Sequence, residues 1–420
     1  MVTYPCDWKE YSLSELLKIK RGASPRPIES FLTFSSTGVN WIKIGDAPRD
    51  GKYITSTSEK ITKSGANCSV WVYSGDFILS NSMSFGRPYL LRIDGCIHDG
   101  WLRLYDFHDE VDIDFLYYVL SSSSVKRQYS SFAAGSGVQN LNKEVVKKVQ
   151  VTIPLLRSEQ EVIASALSAF DEHIDNLTEL IEKKKAIRDG ALEDLVSGKT
   201  RVDGFSSEWE SIPFTKYFTL LPTNTFSREQ LSDSGVVGNI HYGDILIRYG
   251  CVLSENSYIP KLIDTSKVTA KHYLSKNDVL IADTAEDETV GKAVQVGELS
   301  TPLVSGLHTI ACRPNYPTAD GFLGYYINSN CYHNQLLPYV TGIKVSSISK
   351  KSIGKTEIYI PIDTKEQEVI AQVLTAMDDE IESLETEKAK MMQIREGAMD
   401  DLLTGRVRLK YEEETVCQSN

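Results

Sequence analysis

Few residues in this chain have types and spacing that could do chemistry, and each candidate fails on its context. Gly198-Lys199-Thr200 ends like a phosphate-binding loop, in which backbone N–H groups cradle a nucleotide and the lysine reaches its outer phosphates. The position five before Gly198 is Glu193 rather than glycine, and a helical stretch precedes it, so the tripeptide reads as a helix stop. Asp171-Glu172-His173 lacks the second histidine of a zinc-protease helix and reads as a solvated helical face. There is no G-x-S-x-G nucleophile turn. The seven cysteines (Cys6, Cys68, Cys96, Cys251, Cys312, Cys331, Cys417) stand singly, with no C-x-x-C pair or histidine at ligand spacing, and read as reduced thiols. No catalytic or metal-binding group is expected.

The elements that would position any site are more informative, because the chain contains part of itself twice. Pro154 to Val202 reappears without gaps as Pro361 to Leu409, a constant offset of 207. The pairing includes Glu159-Gln160-Glu161-Val162-Ile163-Ala164 against Glu366-Gln367-Glu368-Val369-Ile370-Ala371, and Gly198 and Arg201 against Gly405 and Arg408. The offset persists upstream through Gly135/Gly342, Val138/Val345 and Lys143/Lys350 to Tyr118/Tyr325 and Phe115-Leu116/Phe322-Leu323. Farther upstream the halves drift: Trp8 and Trp209, Gly45-Asp46 and Gly243-Asp244, and Asp76 and Asp278 pair only at offsets of 201, 198 and 202. Each half joins a divergent globular part to a repeated tail.

The tails read as long helices. Apolar residues at Ile163, Leu167, Phe170, Ile174, Leu177 and Ile181, and at Ile370, Leu374, Met377, Ile381 and Leu384, alternate steps of four and three, which is a coiled-coil seam. Ser158-x-x-Glu161 and Thr364-x-x-Gln367 are capping-box starts, and Gly198 and Gly405 are stops. Each helix would run about 40 residues, roughly 60 Å, and such a helix needs a partner. Packing along its own domain is one answer; the duplication favours an intramolecular antiparallel pair related by a pseudo-twofold.

A chain of 420 residues suits two or three domains. No stretch approaches the length and apolarity of a membrane span, and no basic start with an apolar run opens the sequence, so a soluble cytoplasmic protein is expected. The net charge of −12 argues against nucleic acid only until it is divided: Ser158–Thr200 carries −5 and Asp363–Gly405 carries −8, leaving +1 for everything else. The globular parts are thus free to hold local basic patches. They read as mixed α/β. Strand-like runs occur at Trp41–Ile44, Asp76–Leu79 and Asp278–Ile281, with an alternating strand before each tail (Lys148–Ile153, Glu357–Ile360) and helices at Asp114–Ser121 and Phe322–Asn328.

This layout resembles the specificity subunit of type I restriction-modification systems over essentially the full chain. The resemblance rests on Pro-x-x-x-x-Glu-Gln-Glu at the start of each tail, on Leu195-Val196-Ser197-Gly198-Lys199 and Leu402-Leu403-Thr404-Gly405-Arg406 at the ends, and on the Trp and Gly-Asp of each preceding domain. It implies an α+β protein in which two mixed α/β target-recognition domains are separated by a pair of long antiparallel coiled-coil helices. The first recognition domain would be residues 1–157, the central helix 158–203, the second recognition domain 204–362, and the C-terminal helix and tail 363–420. Each recognition domain would read one half of a bipartite, asymmetric site in double-stranded DNA, with half-sites about one duplex turn apart. The helices would set the spacing and dock two adenine-N6 methyltransferase (modification) subunits, and through them restriction and translocase subunits. Glu159, Glu161, Ile174, Leu177, Glu366, Glu368, Ile381 and Leu384 are the expected docking positions.

The chain has no Asn/Asp-Pro-Pro-aromatic tetrapeptide to hold a flipped adenine and no motor signature, so methyl transfer, translocation and cleavage fall to partners. S-adenosylmethionine, ATP and Mg are expected on those partners only, with no cofactor, and no membrane, for this chain. Lys20, Arg21, Arg26, Ser84, Arg87 and Gln139 in the first domain, and Arg248, Lys292, Lys344 and Lys350 in the second, are candidate DNA contacts, each equally readable as a solvated surface residue. The Gly135-Ser136-Gly137 and Thr341-Gly342 loops could approach a backbone closely or be simple turns. A coiled-coil adaptor with protein-binding ends, and an enzyme with its site on one globular domain, are the competing readings.

Overall fold

The computed structural model describes residues 4–48, 51–81, 86–134, 141–342 and 344–410. The chain divides into two compact units, Met1–Asn176 with Glu387–Asn420, and Leu177–Thr386. Both boundaries fall inside the long helices, so each unit holds one globular part and a piece of each helix.

In the first unit a five-stranded sheet runs in the order Lys18–Arg21, Trp101–Tyr105, Phe77–Ser80, Pro88–Leu91, Tyr53–Ile54, its last pair parallel and the others antiparallel. A four-stranded sheet orders Glu59–Ile61, Val39–Ile42, Gly95–Ile97, Val70–Val72. Trp8–Ser12 pairs antiparallel with Gln150–Pro154, Trp8 opposite Pro154, so the strand that enters the domain lies beside the one that leaves it.

The second unit repeats the plan. Its five-stranded sheet orders Phe218–Leu220, Thr309–Pro314, Val279–Ala282, Ala293–Val296, Val252–Leu253, again with one parallel edge. A four-stranded sheet orders Leu231–Ser232, Lys261–Leu262, Gly238–Ile240, Leu303–Ser305. Trp209–Pro213 pairs with Glu357–Pro361, with Trp209 opposite Pro361. The five-stranded sheets keep one strand order, whereas the four-stranded sheets share three strands and differ in the fourth, which lies beside Gly95–Ile97 in the first unit and beside Lys261–Leu262 in the second.

The run around Trp41 is a strand only to Ile42, and Gly45-Asp46 lies in a short 3-10 turn held by the Asp46 carboxylate on the Lys43 N–H (2.8 Å). Gly243-Asp244 sits instead in the helix Tyr242–Ile247, where buried Asp244 accepts from Arg228 (3.0 Å). The helices Ile113–Ser121 and Phe322–Asn328 lie where the sequence places them.

The long helices span Arg157–Val196 and Thr364–Leu402. Their starts differ from the capping boxes expected. Ser158 and Thr364 are already helical, and the Asp363 carboxylate accepts the Lys365 N–H (2.9 Å). Gln367 and its counterpart Gln160 reach back to the carbonyls of Pro361 (2.7 Å) and Pro154 (2.9 Å), stapling each helix to the preceding strand. The stops are as expected: Gly198 and Gly405 have φ of +73° and +68°, a left-handed turn that side chains disfavour.

Each helix packs in both ways that its seam allows. In the first unit Ile163, Ala164 and Leu167, from the start of the central helix, enter a core shared with Leu13, Phe115 and Tyr118 and with Met399 and Leu402 from the end of the C-terminal helix. In the second unit Ile370, Ala371 and Leu374 join Phe322 and Tyr325 with Leu192 and Val196. Start meets end in each unit, so the helices run antiparallel there. Ion pairs flank the seam in the second unit, Lys184 with Glu380 and Lys185 with Glu385 (2.7 Å each), and in the first the His173 imidazole lies 3.6 Å from the Glu387 carboxylate. Among the described residues no helix is long and apolar enough to cross a membrane.

Candidate nucleic-acid interface

Two repeated polar junctions hold each globular part to the helices. At the first, the arginine just past one helix clamps the glutamate in the first turn of the other. Arg201 grips Glu366 through Nε and Nη2 (2.7 and 2.9 Å) and lies over Trp209 (5.7 Å). Arg408 grips Glu159 (2.9 and 2.7 Å) and also Asp7 (3.1 and 2.7 Å), whose carboxyl its hydrogen bonds hold below the usual range. Such two-pronged charge-assisted pairs fix orientation as well as distance.

At the second junction a buried tyrosine of the globular part donates to an aspartate on the long helix, which an arginine of the opposing helix also holds. Tyr118 donates to Asp171 (2.7 Å), which pairs with Arg395. Tyr325 donates to Asp378 (2.8 Å), which pairs with Arg188 (2.8 Å). Burial pushes both tyrosine hydroxyls up, so they remain donors. Asp171 is thus an inward structural group rather than a member of a solvated face. The sequence reading paired Tyr118 with Tyr325 and placed Asp171 on a solvated face without joining them, although Tyr118/Tyr325, Asp171/Asp378 and Arg188/Arg395 all obey the offset of 207.

Beyond the junctions, each unit contains one backbone frame whose hydrogen bonds match while its side chains do not. In the first unit the Asn81 N–H donates to the Gly100 carbonyl (3.0 Å), and the Leu141 N–H donates to the Asn81 carbonyl (3.0 Å). In the second, the Asp283 N–H donates to His308 (3.1 Å) and the Ile348 N–H to Asp283 (2.9 Å). The loop after the central strand closes equivalently at Gly86 and Gly291. Both have positive φ, and a Cβ there would meet Tyr129 at 2.5 Å and Leu336 at 2.6 Å.

On the first frame Arg21 Nε donates to the Asp99 carbonyl (3.1 Å), and Arg26 approaches the Asp99 carboxylate (3.6 Å), whose pKa the Ser24 hydroxyl holds down. Arg26 overhangs a cleft of about 780 Å3 lined by Pro25, Leu32, Trp41 and His98. Burial holds His98 below the ordinary histidine value, and its Nδ1 accepts the Gly100 N–H (2.7 Å). On the second frame Asp283, Thr284 and His308 border a cleft of about 380 Å3 with Tyr339, Thr341, Ser347 and Ser349. Beside it the backbones of Thr341 and Ser347 exchange reciprocal bonds (3.0 and 2.8 Å).

The candidate contacts divide accordingly. Arg21 and Arg26 converge on Asp99, and exposed Lys20 stands on the same strand as Arg21. Lys344, exposed between Thr341 and Ser347, and Lys350, opening the next short helix, flank the second cleft. Arg87 is half-buried, reaching the Gly51 carbonyl (3.5 Å) and lying over Tyr89 (5.3 Å). Arg248 lies over Tyr258 (4.5 Å) beside Asp244. Lys292 is a correction: it is half-buried with its ammonium on the Leu246 carbonyl (3.0 Å), and burial lowers its pKa, so it is a structural donor. Ser84, Gln139 and the Gly135-Ser136-Gly137 loop lie outside the described residues.

Of the expected docking positions, Glu159 and Glu366 are corrected too, since both are buried in the arginine clamps and present nothing to a partner. Leu177 and Ile381 are buried, and Ile174 and Leu384 half-buried, in the seam. Glu161 and Glu368 remain exposed, paired along their own helices with Arg157 (3.0 Å) and Gln372 (3.2 Å).

The profile of the Type I restriction modification DNA specificity domain matches the chain twice, over residues 5–186 and 207–392. The Type I restriction enzyme MjaVIII specificity subunit of Methanocaldococcus jannaschii is 23% identical over 97% of this chain and 94% of its own length. The putative MjaX specificity subunit of the same organism is 26% identical over 72% of this chain and 70% of its own. Two solved structures share the fold at low identity. One comes from work on complex assembly and conformational transition of the type I R-M system (TM-score 0.61, 15% identity, 96% of this chain and 100% of that one). The other is the S subunit from M. genitalium (TM-score 0.55, 16% identity, 97% of each chain). With both of its halves matched by one profile and its two-domain plan on the page, this chain belongs to the type I restriction-modification DNA specificity family.

Proposed function

We propose that this specificity subunit reads a split, asymmetric site in double-stranded DNA, each recognition domain taking one half. The observation that carries this is the pair of frames: Asn81/Gly100 and Asp283/His308 share backbone hydrogen bonds yet present different chemistry, arginines on one and an imidazole on the other. Base edges are told apart by such differences, whereas phosphate contacts only position a protein. The repeated helices suit a partner that must be met twice. The docking surfaces are then the exposed outer faces carrying Glu161 and Glu368, with Glu179 and Glu182 along the central helix, each occupied by an adenine-N6 methyltransferase subunit. Restriction and translocase subunits attach through these partners, and S-adenosylmethionine, ATP and Mg are theirs to hold. The chain itself recognises DNA and does not catalyse, and it works in the cytoplasm.

Methylation mapping tests this reading. A host lacking the protein, complemented with it and its methyltransferase partner, is expected to gain one split, asymmetric adenine-methylated sequence. An assembled complex that leaves no new methylated sequence would contradict it and favour an adaptor that binds proteins.

A further inference from the structure

The frame in the second unit carries an arrangement that packing does not require. His308 is a non-glycine residue with φ of +53°, a backbone conformation that side chains avoid unless their surroundings impose it. Its ring is 47% exposed, so no core is gained by placing it there. Three neighbours nevertheless fix it. The Asp283 carboxylate lies 3.2 Å from Nδ1, the Thr284 hydroxyl donates to the same carboxylate oxygen (2.8 Å), and the Tyr242 ring meets the imidazole edge-on at 5.3 Å.

A carboxylate only accepts, so Nδ1 is the donor in this pair, and the neutral ring is left with Nε2 as an acceptor. The corresponding site of the first unit holds Asn81 and Gly100 on the same backbone hydrogen bonds, and there the Asn81 amide turns inward to the Asp99 carbonyl (2.9 Å). The cleft beside His308 is walled by the hydroxyls of Thr284, Tyr339, Thr341, Ser347 and Ser349, and Lys344, Lys350 and Lys351 stand exposed on the segment that borders it. A rigid acceptor over a hydroxyl-lined cleft with cations alongside suits a base edge between phosphates.

We propose that His308, oriented by Asp283, is a specificity-determining residue of the second recognition domain, its Nε2 accepting the exocyclic amino group of an adenine or cytosine in the major groove. This rests on the reading of two half-sites above. The contact serves one position in one half-site. Asp283 acts through His308 and is a positioning residue, and the hydroxyls supply adaptable contacts around it.

The test is to select sites from a random DNA pool with the assembled modification complex carrying wild-type chain, His308→Ala, His308→Gln or Asp283→Asn. The wild-type pool must first return a split site; failure there strikes the underlying reading and not this residue. With His308→Ala, discrimination at one adenine or cytosine position of one half-site is expected to fall about ten- to a hundredfold, as for loss of one base contact. The other half-site stays unchanged, and Asp283→Asn relaxes the same position less. Which of the two bases the wild type selects there identifies the amino group. Retention of the full consensus by His308→Ala, equal relaxation of both half-sites, or loss of all binding by both His308 variants would each overturn the assignment.

Discussion

The two halves of this molecule differ least where they meet the helices and most where their loops close. Arg201 on Glu366 and Arg408 on Glu159 are the same clamp, and Tyr118–Asp171–Arg395 and Tyr325–Asp378–Arg188 are the same triad. A short distance up the sheet, one backbone frame carries Arg21 and Arg26 on Asp99 and the other carries His308 on Asp283. The contrast separates two demands. Groups that orient a domain on a shared support are held to one solution, because a buried carboxylate without its arginine is costly. Groups on a frame whose backbone bonds are already satisfied can change without unfolding it.

The largest expected effect sharpens the first side of this comparison. Arg201→Ala leaves the fully buried Glu366 carboxylate, among the described residues, with only the Trp209 indole N–H at 3.4 Å, and a loss on the order of 3 kcal/mol of unfolding free energy is expected in the second unit. Arg408→Ala should cost a comparable amount in the first, where Glu159 and Asp7 lose the same cation. Chemical denaturation followed by hydrogen exchange in each unit would show it, and a loss confined to one of the two variants would break the equivalence of the clamps.

Smaller is the effect of removing the tyrosine hydroxyls. Tyr118→Phe and Tyr325→Phe each delete one donor to an aspartate that keeps its arginine, worth about 1 to 2 kcal/mol, and the two should agree closely. Thermal unfolding of the pair measures this. Smallest is the contrast between two lysines of the second unit. Lys344→Ala, at an exposed position between Thr341 and Ser347, is expected to leave stability unchanged and to lower the slope of DNA affinity against salt by roughly 1. Lys292→Ala, on the Leu246 carbonyl, is expected to reduce stability and leave that slope alone. The reverse result would move the interface away from this segment.

Much of the architecture was legible because it is periodic. The steps from Ile163 to Ile181 and from Ile370 to Ile381 marked both helices, and Gly198 and Gly405 marked their ends. The helix starts were misplaced because Ser158 and Thr364 have the right chemistry but already lie inside their helices; Asp363, one residue before Thr364, supplies the oxygen for the C-terminal helix. Glu159 and Glu366 looked like surface acids because an ion pair to a residue far along the chain leaves no local trace. Lys292 looked like a contact for a related reason, since its burial depends on the helix Tyr242–Ile247 folding over it. Arg21 and Arg26 were picked out by their basic, polar loop context, but the repeated frame beneath them was not, being made of backbone bonds between segments that no single sequence offset aligns. His308 was missed altogether. Its one signal, a histidine in a Gly-Leu-His turn before a strand, gains meaning only beside Asp283.

If two separately specific readers sit on one repeated support, one reader can be exchanged for the other. The entering and leaving strands have the same register in both units, Trp8 opposite Pro154 and Trp209 opposite Pro361, so residues 8–154 can replace residues 209–361 at matched ends. Methylation mapping of the assembled complex with this chain is expected to give a split palindrome, the first half of the wild-type site repeated in inverted orientation. An assembled complex that still marks the wild-type asymmetric sequence would contradict the account.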